Sequence, residues 1–402
     1  MGIYKIHKAW IFCFVLLTVL PFSVFAFDAG VLIDQDLSLE SPSDNLATYT
    51  ASLIPWLSAP VGDNGDFYLS LGIAVNNENN KWKFIPELLR TDISYRFGKG
   101  EITAGRMKYS DPLNFIASGF FDGMNVTLDT SAGSFGAGLW YTGLFYKKTI
   151  NITMTEEDLV SYAKVLAHDD VVDTYFSSRR LLAALDWEHP GLWELVRLRV
   201  ALLNQADLNR KSDWYHSQYL VAQASVPVKD IFVFDLGGSL SFAETAKDVS
   251  PSLAGELGLA IFLPTVYQDR LRVSGIFSSG KSGSISPFVP VTTVTQGEIP
   301  AAKLSGLSLI NLDYIIRFHQ AFSARVTSSY FVLSDLATYQ GWPAGKDGHF
   351  LGNEFFLRMI WSPVSDFQFN FGAGVFVPAM GNADPEEKPG WKIEFNAKLA
   401  VF

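Results

Sequence analysis

Cysteine is almost absent from the chain: 402 residues contain one, Cys13. It lies in an apolar run from Ala9 to Leu20 that follows Lys5 and Lys8, is broken by Pro21 and Ser23, and leads into Val24-Phe25-Ala26. That layout predicts a secretory leader over residues 1–26, removed by signal peptidase. The bland alternative is an uncleaved helical anchor, because Ala9 to Phe25 approaches the length that spans a bilayer. Ile11 and Phe12 precede the cysteine in place of the small residues of a lipoprotein attachment site. A mature chain over 27–402 then has no thiol, so disulfide frameworks, zinc–thiolate clusters and cysteine nucleophiles are excluded together.

Positive charge is also short, with 31 Lys and Arg against 41 acids. Loss of Lys5 and Lys8 takes the net charge from −10 to −12, a balance that disfavours nucleic acid as a partner. Past the leader no comparable apolar run recurs, and the remaining histidines, His168, His189, His216, His319 and His349, show no ligand-like spacing. A nucleophile elbow, a zinc-protease helix motif, a phosphate-binding glycine loop and an EF-hand loop are all missing. The sequence therefore predicts no enzyme, no metal and no cofactor.

Aromatic residues are in excess, with 32 Phe, 15 Tyr and 10 Trp. Much of the chain reads as strands, and the stretch from Phe84 to Tyr109 is the type unit. Leu89, Thr91, Ile93, Tyr95 and Phe97 alternate with Arg90, Asp92, Ser94 and Arg96, which is the period of a strand with one apolar face. Gly98-Lys99-Gly100 reverses the chain, and Ile102 to Tyr109 returns with Met107 and Tyr109 opposite Arg106 and Lys108. The same grammar begins at Val31 and ends with Trp391 to Phe402, giving about eighteen strands, with sixteen also compatible.

The connections decide what the strands build. Every second one is tight: Gly98 to Gly100, Thr130 to Gly133, His189 to Gly191, Pro227 to Asp230, Pro264 to Asp269, His319 to Ala321 and Ser362 to Asp366. Those between are mostly longer, above all Thr149 to Ser178, Ser279 to Gly306 and Asp335 to His349. A chain of soluble sandwiches has no reason to keep that parity. A single antiparallel all-β transmembrane barrel requires it, with short periplasmic turns and long extracellular loops. Tyr95, Phe97, Trp187, Trp193, Trp214, Phe234, Trp361 and Trp391 fall at strand ends, where headgroup girdles place aromatics.

At the last strand, WKIEFNAKLAVF, the chain resembles bacterial outer-membrane β-barrel proteins, whose closing strand ends in an aromatic residue read by the barrel assembly machinery. Phe402 fits that pattern, whereas Lys398 stands where it expects an apolar residue. Gly105-Arg106, Asp111 and Phe121-Asp122-Gly123 also loosely resemble the porin-type alginate-export family. The first resemblance implies an outer-membrane location, contact with membrane lipid and an assembly partner.

The polar parity of the strands supplies the candidate pore lining: Arg90, Asp92, Arg96, Arg106, Lys108, Arg197, Arg199, Arg270, Arg272, Arg317, Arg325 and Arg358. Guanidinium groups around a wet pore attract anions. Equally open is a wall role, each cation pairing with Asp92, Asp186, Asp235, Glu256, Asp313 or Glu354 on a neighbouring strand. Two long loops stand out. Thr155-Glu156-Glu157-Asp158 is close to a capping box ahead of Leu159, Tyr162, Ala163 and Leu166, which predicts a short amphipathic helix at the rim. The segment 280–306 contains SPFVPVTTVT, too apolar for a solvated loop, and Phe288, Val289, Val291 and Val294 are the candidates for a constriction folded inward. The function these readings give is a passive, porin-like channel for small polar or anionic solutes. The alternatives are a carrier of hydrophobic substrates of the fatty-acid type, or a surface adhesin acting through its loops.

Overall fold

The computed structural model describes residues 27–42, 47–78, 81–167, 169–209, 214–336, 348–378 and 388–402. The predicted leader with Cys13, His168 and most of the third long connection lie outside these residues. Eighteen strands follow one another: β1 (Asp28–Ser41), β2 (Ala47–Val61), β3 (Gly65–Glu78), β4 (Lys81–Phe97), β5 (Gly100–Ser110), β6 (Ser118–Thr130), β7 (Gly133–Tyr141), β8 (Arg180–Leu192) and β9 (Val196–Asp207). The second half is β10 (Tyr215–Val228), β11 (Phe232–Thr245), β12 (Val249–Phe262), β13 (Arg270–Ser278), β14 (Leu307–His319), β15 (Phe322–Leu333), β16 (Phe350–Val364), β17 (Phe367–Pro378) and β18 (Gly390–Val401).

Each strand pairs antiparallel with its neighbours in sequence, and β1 pairs with β18 from Val31↔Val401 to Ser41↔Trp391, which closes the sheet into a barrel. Closure pairs the two terminal strands, whose edges would otherwise seek another chain. Alternation then sorts the side chains. Leu53, Ile73, Ile93, Val126, Leu202, Leu257 and Val326 stand exposed on the outer face, where water would penalise them and lipid does not. The opposite parity carries Asp34, Asp92, Asp235, Asp313 and Glu354 into the lumen.

Connections after even-numbered strands are short, and those after odd-numbered strands include 142–179 and 279–306. The parity read from sequence is the parity of the barrel. One turn is displaced. Between β8 and β9 the chain reverses at Trp193 and Glu194, both with positive φ (53° and 62°), instead of at His189 to Gly191. A register shift between His189 and Leu192 lets β8 run past the predicted turn. β7 is also short: its ladder stops at Tyr141 and pairing resumes only as an isolated bridge between Tyr146 and Phe176.

The largest irregularity lies in the type unit itself. β4 begins at Lys81, yet its ladder with β5 covers only Thr91↔Arg106 to Phe97↔Gly100. At Gly105 φ is +122°, and a Cβ there would sit 2.1 Å from the Thr91 carbonyl oxygen, so only glycine fits. Beyond it the β5–β6 tip turns into the barrel. Asp111, Ile116 and Ala117 are fully buried, and Leu113 packs over Gly237 of β11. Leu89 marks a second departure, since a bulge in the β3–β4 pairing turns it over Gly72 and off the outer apolar face. The barrel thus has an apolar core on its inside, where Met107, Phe121, Trp140 and Tyr219 pack with Phe288, Phe331 and Phe376.

Candidate functional site

The segment 279–306 crosses the middle of the barrel because its apolar residues find partners there. Phe288 is fully buried, edge-on to Phe115 (6.4 Å between centroids) and to Tyr219 of β10 (6.2 Å). The Tyr219 hydroxyl donates to the Val289 carbonyl at 2.6 Å. Val291, also fully buried, donates its amide to the Ile116 carbonyl at 2.8 Å, and Thr293 donates to the Asn151 carbonyl at 2.8 Å. Val294 packs against the same core, half-buried.

On the far side the amides of Glu298 and Ile299 donate to Glu354 of β16 at 2.9 and 2.8 Å. Arg358 of β16 reaches Glu298 at 3.0 Å, and Lys392 of β18 reaches the Glu298 carbonyl at 3.4 Å. In a ring of 18 strands, β10 and β18 are eight apart one way and ten the other, so the segment crosses nearly a full diameter. Proline and glycine set its path: Pro287 and Pro290 stiffen the approach, and Gly297 has φ +77° at the tip.

Most of the predicted lumen cations are paired. Arg90 binds Asp92, its own strand neighbour, and lies over the Tyr68 ring at 4.4 Å. Arg96, near the turn end, reaches Asp66 at 3.5 Å and Glu101 at 3.2 Å. Arg197 and Arg199 share Glu188 at 2.6 and 3.6 Å, Arg272 pairs with Asp235 at 3.1 Å, and Arg325 with Asp313 at 2.6 Å. Arg358 binds Glu394 at 2.7 Å as well as Glu298. Asp186 and Glu256 have other partners: Tyr109 donates to the first at 3.1 Å, and Gln223 to the second at 2.6 Å. Among the described residues Arg270 and Arg317 have no ion pair; the first stands 5.9 Å from the Phe262 ring, and the second donates to the Gln320 carbonyl at 3.1 Å.

Arg106 and Lys108 are placed otherwise than expected. Continuous pairing through Ala104↔Met124 and Arg106↔Asp122 keeps both on the parity of outward-facing Met124, while Met107 and Tyr109 turn in to the core. Arg106 is nonetheless 3% exposed, because the loop 142–179 covers it. Lys398, by contrast, faces the lumen, 3.5 Å from Asp34, which accounts for its place in the closing strand.

Loop 142–179 contains three short helices, α1 (Lys147–Ile150), α2 (Glu156–Ala163) and α3 (Val171–Tyr175). The predicted capping box holds: Thr155 accepts from the Asp158 amide, and Asp158 accepts from the Thr155 amide. Asp158 also anchors the loop to the wall through Arg180, fully buried and 2.6 Å away. Burial together with Lys148 and Lys164 pushes Lys147 down to about 8. In loop 111–117, burial pushes the Asp111 carboxyl above its ordinary range, against the pull of the Ala117, Ile116 and Leu113 amides.

Sequence reasoning missed Tyr219, Glu354 and Asp111 as loop anchors. Tyr219 and Glu354 have ordinary strand parity, and what they hold is distant in sequence. Asp111 opens a connection too short to attract notice.

A polar cavity of about 200 Å³ remains between the segment and β14–β16, lined by Gln296, Glu298, Arg325, Ser329, Glu354 and Arg358 among others. Arg325 and Arg358 stand directly opposite each other across the β15–β16 ladder. Like charges in that position repel unless acids are brought to them, and Asp313, Glu298 and Glu394 do so.

A closed 18-stranded antiparallel barrel with an apolar outer belt and loops folded into its lumen is the fold of outer-membrane porins. The solved structures similar to this chain include Pseudomonas aeruginosa OccK5 (OpdH), with a TM-score of 0.61, 10% identity, and coverage of 93% of this chain and 98% of that one. OccK2 (OpdF) of the same organism, solved in complex with glucuronate, gives 0.62 at 11% identity over 93% and 96%. OprD of that organism gives 0.59 at 11% identity over 93% and 95%. No protein-family profile and no curated protein sequence matches the chain.

Proposed function

We propose that the chain is a passive channel for small polar solutes, set in the outer membrane of a bacterium with lipid around its belt and inserted through the assembly machinery that reads the strand ending at Phe402. The observation that carries this reading is the segment 279–306. It is tied to Tyr219 on one wall and to Glu354 and Arg358 on the other, so it narrows the lumen without plugging it from a separate domain. The cavity beside it, with both guanidinium and carboxylate groups on its walls, suits a small polar solute better than an apolar one.

Preference for anions is the finer part of the proposal. Its support has moved from mid-strand to the turn end, where Arg270 and Arg317 carry no ion pair among the described residues. The paired arginines contribute little net field. No comparison carries the resemblance to alginate-export porins, and the solute class proposed here does not depend on it.

The test is conductance in planar bilayers. The intact chain is expected to give discrete channel openings. Deletion within 284–301 is expected to raise the conductance and admit larger solutes in a barrel that still inserts. A correctly inserted barrel that never conducts overturns the channel reading and favours action through the outer loops.

A further inference from the structure

The wall has a seam. From Lys81 to Arg90 the β5-facing edge of β4 has no strand beside it, because the β5–β6 tip has turned inward. An unpaired strand edge cannot face lipid without cost, since its backbone groups have no water to bond. Here side chains reach two of its carbonyls. Tyr175 donates to the Pro86 carbonyl at 2.6 Å, and beside it Thr149 donates to the Glu87 side-chain carboxylate at 2.8 Å. The Arg106 guanidinium bonds both the Leu88 carbonyl and, at 3.2 Å, the Leu144 carbonyl, so one side chain bridges the two lips. Pro86 suits the position, having no N–H to satisfy on that edge. This stretch of wall is therefore closed by side-chain bonds where the rest of the barrel has a backbone ladder.

Against the Leu144 lip lies a cavity of about 760 Å³ in the loop 142–179. One part of its lining is apolar, with Leu144, Val160, Val172 and Phe176, and another sets Lys164 and Arg179 beside the acids Glu156, Glu157, Asp158 and Asp173. Among the described residues Lys164, Arg179, Glu156 and Asp173 have no ion pair. An apolar wall beside charges of both signs suits a single acyl tail with a zwitterionic head. The volume lies within the range of pockets that enclose small ligands.

We propose that the seam is a side port through which a single-tailed zwitterionic amphiphile passes between the surrounding lipid and the lumen, with this cavity as its landing site. The port is separate from the axial path taken by polar solutes, and its test does not depend on conduction.

Lysophosphatidylethanolamine carrying a photoreactive tail is the probe, added to the full barrel in lipid nanodiscs. Labelled positions are mapped by peptide sequencing. The wild type is expected to label at Leu144 and Val160, and at lumen-facing Tyr68 and Arg90. In the Pro86→Cys, Tyr175→Cys double variant, a short bis-maleimide ties the lips together. Lumen labelling is then expected to fall about tenfold while labelling at the landing site persists. Arg179→Gln is expected to weaken landing-site labelling several-fold in an otherwise unchanged barrel.

Lumen labelling that survives the cross-link overturns the port. Landing-site labelling no stronger than at the belt residues Leu202 and Leu257 overturns the site. Equal labelling by an alkyl glycoside of the same tail length overturns the zwitterionic class.

Discussion

The Tyr219 hydroxyl donates to the Val289 carbonyl at 2.6 Å, joining β10 to the middle of a segment that starts after β13. The ring beside it is buried against Phe288, so the bond is dry and the segment is held by both packing and polarity. Tyr219→Phe keeps the packing and removes the bond, at a cost of about 1 kcal/mol. The expected result is unchanged insertion with more frequent current fluctuations. Phe288→Ala removes the packing itself, at about 3–5 kcal/mol, and is expected to raise mean conductance toward that of the 284–301 deletion. Single-channel recording distinguishes the two.

Arg106 and Asp122 form a two-pronged pair at 2.7 and 2.8 Å, with Arg106 almost fully enclosed. Asp122→Ala leaves that guanidinium buried with only carbonyl partners, and is expected to destabilise the barrel by about 3–5 kcal/mol in urea unfolding. Arg106→Met combined with Asp122→Leu is expected to recover most of that loss, because no buried charge remains. A double variant as unstable as the single one would mean that the pair contributes geometry that packing cannot replace.

Charge selectivity divides the arginines into two groups. Arg270→Gln with Arg317→Gln removes unpaired charge, and is expected to reduce anion preference in reversal potentials under a salt gradient. Arg272→Gln and Arg325→Gln remove the ion-pair partners of Asp235 and Asp313, which is expected to drive selectivity toward cations by a larger step. Equal effects from both groups would contradict the division. High salt should shrink the first effect more than the second, since exposed charges are screened more completely.

Lys147 gives the outer loop a pH dependence. Its pKa falls from the usual 10.5 to about 8 in the folded loop, chiefly through burial. Between those values the detached loop keeps the proton that the packed loop has lost, so packing strengthens as pH rises through that window. Proteolysis within 142–179 is therefore expected to slow from pH 7 to pH 10, relative to a Lys147→Met variant assayed at each pH. A constant ratio between the two proteins would remove Lys147 as the cause.

Period-two alternation and the parity of loop lengths were both legible in the residues, and they lead to the same strands, the same closure and the same two ends of the barrel. Those features depend on local geometry, because a strand places successive side chains on opposite faces whatever surrounds it. The capping box at Thr155 was legible for the same reason. Phe288 and Val291 were visible too, as residues too apolar for a solvated loop.

Pairing was not visible, and Arg106 shows why. Its alternation against Met107 and Tyr109 was read correctly, but an apolar strand face meets either lipid or a loop packed inside, and the residues look alike in both settings. Gly105 turns the β5–β6 tip inward, so the apolar parity faces the core and Arg106 faces the seam. The partners of Arg272, Arg325 and Arg358 likewise follow from register and from a loop that crosses the lumen. Local patterning is enough to say which residues form the barrel and where its loops are long. Which charges cancel, which loop meets which wall and where the wall is incomplete emerge only on folding, because they depend on contacts between residues far apart in the chain.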